Sequence, residues 1–172
     1  MKKPSPSQSG FTLVEVMVAT FVFSIIVLAT SGLFTQILNN ERRAFSAQKI
    51  QENGLYVLEL LTREIRVSSI VNQNSTDCSA TSLTISHPIN GTVTYSLSNG
   101  VLRRTAGGVV TDLTSSDVQF SRLNFCILGS GTSDKATPRV TIIGAIQNRT
   151  GKDIVTFNLE TTVSSRDIGS EL

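Results

Sequence analysis

The hydrophobic pattern is strongest near the amino terminus. Residues 16–38 contain no charged side chain, whereas most of the later sequence is polar and rich in serine and threonine. Because an α-helix rises about 1.5 Å per residue, this run is roughly 35 Å long as a helix, and a bilayer core is about 30 Å thick. The pattern therefore predicts a helix that spans a membrane.

After residue 38 the apolar residues recur at spacings of three and four, which is typical of one face of an amphipathic helix. They are Ala47, Ile50, Gly54, Val57, Leu58, Leu61 and Ile65. Glu59 and Arg63 lie four residues apart on the opposite face, in the order that favours an ion pair. We therefore predict one helix from about residue 12 to about residue 71, with Asn53–Gly54 as its expected bend.

A polar, turn-rich stretch at 72–77 is expected to end the helix, and short runs of alternating or β-branched residues follow. The predicted strands are 82–87, 92–98, 101–105, 118–127, 139–146 and 154–164. Asn90–Gly91 and Asn99–Gly100 separate the first three strands, and this dipeptide tolerates the positive φ angles of a hairpin turn. A helix with one apolar face and mostly antiparallel strands must pack together to bury that face, which predicts an α+β fold.

Charge and cysteine content restrict the function. The formal net charge is +2 at pH 7 and falls to about zero without Lys2 and Lys3, so no basic face is left to attract phosphates. We therefore predict no direct binding of nucleic acid. Cys78 and Cys126 permit one disulfide if the later part of the chain lies outside the cytoplasm, and two unlinked buried thiols are the alternative.

Catalytic and metal-binding patterns are scarce. The single histidine, His87, precedes Pro88, and no G-x-S-x-G sequence accompanies it, which argues against a serine-hydrolase triad. One histidine also cannot form a His-pair metal site, and Asp112, Asp117 and Asp134 are too scattered for a calcium loop. The sequence therefore predicts no enzymatic activity, no cofactor and no metal.

Glu15 is the unusual residue of the amino-terminal helix. A carboxylate at mid-depth in a bilayer costs roughly 2.5 to 3.5 kcal/mol on insertion scales, so an acid here indicates a function. A secretory signal peptide is the alternative interpretation, because Lys2 and Lys3 are basic and residues 29–31 are small. An ordinary signal peptide gains nothing from Glu15, however, and cleavage near residue 31 would sever the helix that continues beyond it.

Residues 10–16, Gly-Phe-Thr-Leu-Val-Glu-Val, resemble the processing motif of type IV prepilins and type II secretion pseudopilins. The resemblance implies that a prepilin peptidase cuts between Gly10 and Phe11 and then methylates the new amino terminus of Phe11. It also implies that the carboxylate of Glu15 pairs with the Phe11 amine of a neighbouring subunit as helices pack into a filament. Glycine suits the cleavage, because a residue without a side chain lets a protease approach the backbone closely.

The resemblance to the type IV pilin-like family also implies a division of the chain. The expected regions are a leader peptide at 1–10, a transmembrane and filament-core helix at 11–38, an amphipathic helix at 39–71 and a β-rich head at 72–172. The expected fold is the α+β pilin fold, a long helix packed on a mainly antiparallel sheet. The expected partners are other pilin or pseudopilin subunits, prepilin peptidase, an inner-membrane assembly platform and membrane lipid.

The resemblance also implies a location. The amino terminus is expected in the cytoplasm and the head outside, in a single-pass protein of the cytoplasmic (inner) membrane that later joins an extracytoplasmic filament. Charge does not determine this orientation, since Lys2 and Lys3 precede the span but Arg42, Arg43 and Lys49 follow soon after it.

Two features bear on the subtype. Gly32 stands where many major pilins carry proline, so local helix flexibility is expected there, with close helix packing at a small residue as the alternative. Residues 63–66, 95–104 and 161–166 resemble J-type minor pseudopilins and related minor pilins. We therefore predict a minor pilin or minor pseudopilin rather than a major pilin. A membrane-anchored binding protein or enzyme that does not polymerise is the alternative from another class.

Overall fold

The computed structural model describes residues 10–72, 74–130, 136–151 and 153–165. One helix, α1 (Leu13–Arg66), is followed by β1 (Ser69–Ile70), β2 (Ser75–Ala80), β3 (Ser82–His87), β4 (Gly91–Ser98), β5 (Val101–Ala106), β6 (Val109–Asp112), β7 (Val118–Leu128), β8 (Arg139–Asn148) and β9 (Thr156–Ser164). The chain divides into two compact units, one up to Arg42 and one from Arg43 onward. The predicted leader at 1–10 lies outside the described residues except for Gly10.

The amino-terminal part of α1 is long and apolar enough to cross a membrane. Its apolar side chains are exposed throughout, from Leu13 to Leu38. Its hydroxyl groups each donate a hydrogen bond to a backbone carbonyl three or four residues earlier; they belong to Thr20, Ser24, Thr30, Ser31 and Thr35. A hydroxyl satisfied in this way can enter a bilayer without leaving its donor unpaired.

The second part of α1 buries the face that the apolar spacing predicts, comprising Ile50, Gly54, Val57, Leu61 and Ile65. The helix is continuous through Asn53–Gly54, where the sequence suggested a bend. A Cβ atom on Gly54 would lie 3.2 Å from Cδ1 of Leu159 in β9, tighter than an ordinary van der Waals contact. Glycine therefore permits α1 to approach β9 closely here.

The strands of the expected antiparallel head form two sheets. Sheet A has the order β1-β3-β4-β5-β6, and sheet B has the order β2-β7-β8-β9. Inward side chains of both sheets and the buried face of α1 make one core, whose largest fully buried members include Tyr95, Phe125, Leu61 and Leu102. The predicted α+β class, with a long amino-terminal helix packed on antiparallel strands, is confirmed.

The two Asn-Gly dipeptides form different turns. Asn99 and Gly100 both have positive φ, of 51° and 76°, and they connect β4 to β5 as the hairpin signal predicts. At the other dipeptide Gly91 alone has positive φ, of 67°, and it already pairs with His87 as the first residue of β4. The turn from β3 to β4 is therefore at 88–90, one residue earlier than the dipeptide suggests.

The amphipathic helix predicted over 39–71 ends earlier, at Arg66. Ser68 stabilises this end, because its backbone N–H donates to the carbonyl of Ile65 at 3.2 Å and its hydroxyl donates to the carbonyl of Glu64 at 2.6 Å. The next two residues form β1, which pairs with β3. The helix prediction was therefore wrong for its last turn, where pairing with a strand replaces helical hydrogen bonds.

Besides β1, two strands were not predicted. β2 lies partly in the polar stretch expected to be a turn, and β6 follows Gly107–Gly108 as a four-residue edge strand whose side chains are all exposed. Both strands are too polar or too short to give a periodic signal. Each forms because a longer neighbour, β7 or β5, offers an unpaired edge.

Candidate functional site

The junction expected to be cleaved lies immediately before α1. Gly10, Phe11 and Thr12 are not helical, and Leu13 is the first helical residue. Phe11 is 84% exposed, and among the described residues, apart from the two chain neighbours of Gly10, no atom lies within 4 Å of the place where a Cβ on Gly10 would stand. Both residues of the junction are therefore exposed within the described part of the chain.

Thr12 and Glu15 hydrogen bond reciprocally at the start of α1. The Oγ1 atom of Thr12 accepts a hydrogen bond from the backbone N–H of Glu15 at 3.3 Å, and Oε2 of Glu15 accepts one from the N–H of Thr12 at 3.4 Å. This arrangement is a capping box, which satisfies two of the four N–H groups that a helix start leaves unpaired. The sequence carries its signal, a threonine followed three residues later by a glutamate, which gives Glu15 a role beyond the one predicted from its charge.

The surroundings of Glu15 on the helix are apolar. Together with Thr12 and Glu15, the residues of this face are Val14, Val18, Ala19, Val22, Phe23 and Ile26. A carboxylate on such a face loses its hydration when another helix covers it, unless a cation accompanies it. The pairing of Glu15 with a neighbouring Phe11 amine stays a prediction, since the structure describes one subunit.

Gly32 lies within the uninterrupted helix α1. Among the described residues, no atom outside the adjacent helix backbone lies within 4 Å of a Cβ built there, so packing within the described part of the chain does not require a glycine. The backbone carbonyl of Gly32, which lies within the helix, also accepts a hydrogen bond from the Oγ1 hydroxyl of Thr35 at 2.8 Å. Flexibility at Gly32 also stays a prediction.

Cys78 of β2 and Cys126 of β7 are joined by a disulfide. The disulfide links the two strands of sheet B whose pairing is the most irregular. β2 and β7 are in register at only two places, Ser75↔Ile127 and Ala80↔Phe125. The chain bulges between these pairs, and Cys78 there has a φ of 56°. The disulfide therefore holds the bulged part of β2 against sheet B.

A largely buried charged cluster joins α1 to sheet A. The hydroxyl of Tyr95 donates to Oε2 of Glu64, and the guanidinium of Arg104 lies 3.0 Å from Oε1 of the same carboxylate. The side chains of Arg104 and Glu64 are 19% and 13% exposed, and Tyr95 is fully buried. Since Tyr95 and Arg104 face each other across β4 and β5, one carboxylate of the helix binds two strands.

The three residues of this cluster lie in segments that carry a sequence resemblance. Residues 63–66 and 95–104 resemble J-type pseudopilins, and they contain Glu64, Tyr95 and Arg104. The third segment of that resemblance, 161–166, is described up to residue 165. No local pattern relates Glu64 to residues 31 and 40 positions later.

The Tyr95 hydroxyl should make the stability depend on pH in alkaline solution. Burial and the hydrogen bond to Glu64 raise the pKa of Tyr95, while the unfolded chain releases this proton near pH 10. The stabilisation is therefore complete below about pH 10 and falls above it, by up to about 1.4 kcal/mol per pH unit. Urea unfolding of the full chain in detergent between about pH 9 and pH 11 measures the slope of the unfolding free energy against pH. Tyr95→Phe should reduce this slope and Tyr56→Phe should not, and an unchanged slope in Tyr95→Phe would contradict the assignment.

His87 has a turn-forming role in the structure. Its Nδ1 atom accepts hydrogen bonds from the backbone N–H groups of Ile89 and Asn90, at 3.1 and 3.2 Å. Within the ranges that the structure describes, no three side chains of histidine, cysteine, aspartate or glutamate come together in a way that could hold a metal ion. Asp134, one of the aspartates considered from sequence, lies outside those ranges.

The amino-terminal segment of the chain matches a known family model. A family model described as the prokaryotic N-terminal methylation motif matches residues 5–31. The match supports a relation to the type IV pilin-like family over this segment, which contains the Gly10–Phe11 junction, the capping box and most of the apolar helix. No curated protein and no solved structure matches the chain at significant similarity.

Proposed function

We propose that this chain is a structural subunit, a minor pilin or minor pseudopilin, of a type IV pilus-like or type II secretion filament. It is cleaved between Gly10 and Phe11, methylated at Phe11, and assembled through its amino-terminal helix. The observation that carries the proposal is the methylation-motif match to residues 5–31. An exposed, non-helical junction directly before a helix able to span a membrane supports it.

The role of Glu15 in assembly follows from desolvation. A new amine at Phe11 and a carboxylate at Glu15 would each lose hydration on entering a bundle of apolar helices separately. A pair between subunits offsets much of that cost and fixes the axial register of one helix against the next. The apolar face around Glu15 supports this assignment, because none of the described residues that line it is a cation.

The minor subtype and the location are further parts of the proposal. Glycine rather than proline at position 32, and a head with two sheets, favour a minor over a major subunit. The subunit resides in the cytoplasmic membrane with its head outside until assembly, where a disulfide between Cys78 and Cys126 can persist. A prepilin peptidase, an assembly platform and other subunits are its partners, and this chain supplies no catalysis.

Mass spectrometry of the mature protein tests the proposal. The expected product lacks residues 1–10 and begins at a Phe11 that carries one methyl group on its amine. A chain that still begins at Met1 would contradict the proposal and favour a membrane-anchored protein that does not polymerise. A chain that begins near Gly32 would show instead that the apolar segment is a signal peptide.

Replacing Glu15 with glutamine should leave cleavage intact and reduce incorporation into filaments at least tenfold. The amide keeps the shape and hydrogen bonds of the side chain but cannot neutralise an amine, and each lost 1.4 kcal/mol corresponds to about a tenfold change. Quantitative blotting of sheared filaments against membrane-bound protein measures the ratio. Glu59→Gln, an exposed acid farther along the same helix, is the matched control and should assemble normally. Normal incorporation of the Glu15 variant would contradict the ion pair.

A further inference from the structure

We propose that Asn90 is a site of spontaneous covalent modification, where the backbone nitrogen of Gly91 attacks the side-chain amide and converts the asparagine to aspartate or isoaspartate. The inference goes beyond the proposed function and does not depend on it, because the reaction involves only the head and water. It singles out one of the three Asn-Gly dipeptides in the chain.

The reaction needs no co-reactant other than water. The nitrogen of Gly91 forms a bond to Cγ of Asn90, and the side-chain nitrogen leaves as ammonia, taking the proton of the Gly91 N–H with it. A five-membered succinimide ring remains, and water opens it at either of its two carbonyls to give aspartate or isoaspartate. Glycine favours the attack, because a residue without a side chain lets its nitrogen approach closely.

The three Asn-Gly dipeptides are chemically alike but lie in different surroundings. They are residues 53–54, 90–91 and 99–100. An intramolecular attack is fast only where the two reacting atoms can come together in the right orientation. The local structure therefore decides which asparagine reacts.

The dipeptide at 53–54 is protected within α1. The Asn53 side chain is held at both polar atoms, because Nδ2 donates to the carbonyl of Lys49 at 2.9 Å and Oδ1 accepts the backbone N–H of Ser115 at 3.2 Å. Gly54 is buried, and a Cβ there would lie 3.2 Å from Cδ1 of Leu159. The helix also directs the N–H of Gly54 toward the carbonyl four residues earlier. Reaction here requires local unfolding of α1.

The dipeptide at 99–100 is fixed by its contact with β7. Asn99 and Gly100 both have positive φ in the tight turn between β4 and β5. The carbonyl of Gly100 accepts the backbone N–H of Phe120 at 2.8 Å, and a Cβ on Gly100 would lie 3.0 Å from Cβ of Gln119. The Gly100 nitrogen therefore cannot turn toward the Asn99 side chain without breaking the contact with β7.

The dipeptide at 90–91 has neither restraint. Asn90 and Gly91 are both exposed, and apart from the chain neighbours of Gly91, no atom of the described residues lies within 4 Å of a Cβ built there. His87↔Gly91 is the last register pair between β3 and β4, and pairs at the end of an element open most readily. The hydrogen bonds that His87 accepts, from the N–H groups of Ile89 and Asn90, lie before the reacting peptide bond. Asn90 therefore needs the smallest movement to react.

The product differs from the original chain in charge and in backbone length. A carboxylate replaces the neutral amide, so the formal net charge of the full chain falls from +2 to +1. In isoaspartate the main chain also passes through Cβ and Cγ of residue 90, which lengthens the turn between β3 and β4. Because this turn is exposed, the folded core should tolerate both products.

Peptide mapping by mass spectrometry tests the site after the full chain has been kept in detergent in warm, mildly alkaline buffer. Conversion is expected at Asn90 at least about tenfold faster than at Asn53 or Asn99, which corresponds to an opening free energy of about 1.4 kcal/mol or more at the two protected sites. In the chain unfolded in urea, the three asparagines should react at similar rates. A folded chain in which Asn90 reacts no faster than the other two would overturn the inference, as would the same preference for Asn90 in urea.

Two variants test the assignment by charge. Isoelectric focusing of the incubated wild type should resolve an acidic form that increases with time. Asn90→Asp should abolish this increase, while Asn99→Asp, the matched control in the other hairpin turn, should retain it. An acidic form that increases at the wild-type rate in Asn90→Asp would overturn the inference.

Discussion

Glu64→Leu should lower the free energy of unfolding by about 3 kcal/mol, the low end of the range for breaking a buried ion pair. The substitution leaves the guanidinium of Arg104 without its counter-charge and the hydroxyl of Tyr95 without its acceptor. Both side chains of the pair are less than one-fifth exposed, so water replaces little of what is lost. Because Glu64 is on α1 and its two partners are on sheet A, the effect should appear as loss of helix packing on the head.

Urea unfolding of the full chain in detergent measures the loss of stability from Glu64→Leu. Tyrosine fluorescence can follow the transition, since the chain contains no tryptophan and Tyr95 is fully buried. Glu59→Leu replaces an exposed acid of the same helix and should change stability by less than about 0.5 kcal/mol. Equal changes in stability from the Glu64 and Glu59 substitutions would show that the charged cluster contributes nothing to stability.

A double variant distinguishes an unpaired charge from a loss of general packing. Glu64→Leu combined with Arg104→Leu removes both charges, and well-packed apolar replacements of buried pairs are often neutral or stabilising. The double variant should therefore be more stable than Glu64→Leu alone. If the double variant is instead less stable than the unsubstituted protein by the sum of the losses from the two single substitutions, then lost packing rather than the uncompensated charge explains the effect.

Reduction of the disulfide between Cys78 and Cys126 should lower the free energy of unfolding by about 4 kcal/mol. The two cysteines are 48 residues apart, so the bridge removes a large loop entropy from the unfolded chain. In the folded chain β2 has only two register pairs with β7, and the bulge between them contains Cys78. The loss of stability should therefore appear first in β2.

Two measurements on the full chain in detergent test the effect of reduction. Urea unfolding with and without dithiothreitol gives the change in stability, and the Cys78→Ala/Cys126→Ala variant should show no response to the reductant. Hydrogen exchange should become faster in β2 (Ser75–Ala80) than in the central strand β8 (Arg139–Asn148) after reduction. Two thiols that react with an alkylating agent in the unfolded, unreduced chain would show that the bridge does not form.

The comparison of sequence and structure is clearest in particular elements. Each predicted strand is present with ends shifted by at most two residues, because alternation and Asn-Gly turns are local signals. The helix was predicted to run to about residue 71 but ends at Arg66, since β1 pairs with the edge of β3. Apolar spacing cannot show this change, because Ile70 suits either a helix face or a strand.

The local structure of the candidate processing segment can be predicted without tertiary contacts. Gly10, Phe11, Thr12 and Glu15 lie within six residues of one another, and a capping box forms between neighbours in the sequence. Its Thr-x-x-Glu spacing predicts the helix start that the structure has at Leu13. The assembly role of Glu15 depends on a second subunit, so neither this sequence nor this structure tests it.

Local sequence patterns specify the features that arise between near neighbours: the apolar helix, its cap, the processing motif, the hairpin strands and the α+β class. Long-range packing specifies the division into two sheets, the formation of β2, and the meeting of Glu64 with Tyr95 and Arg104. The difference arises from separation along the chain. A capping box joins residues three apart, whereas the contacts of Glu64 join residues 31 and 40 apart, and no periodicity records which distant side chains a folded core brings together.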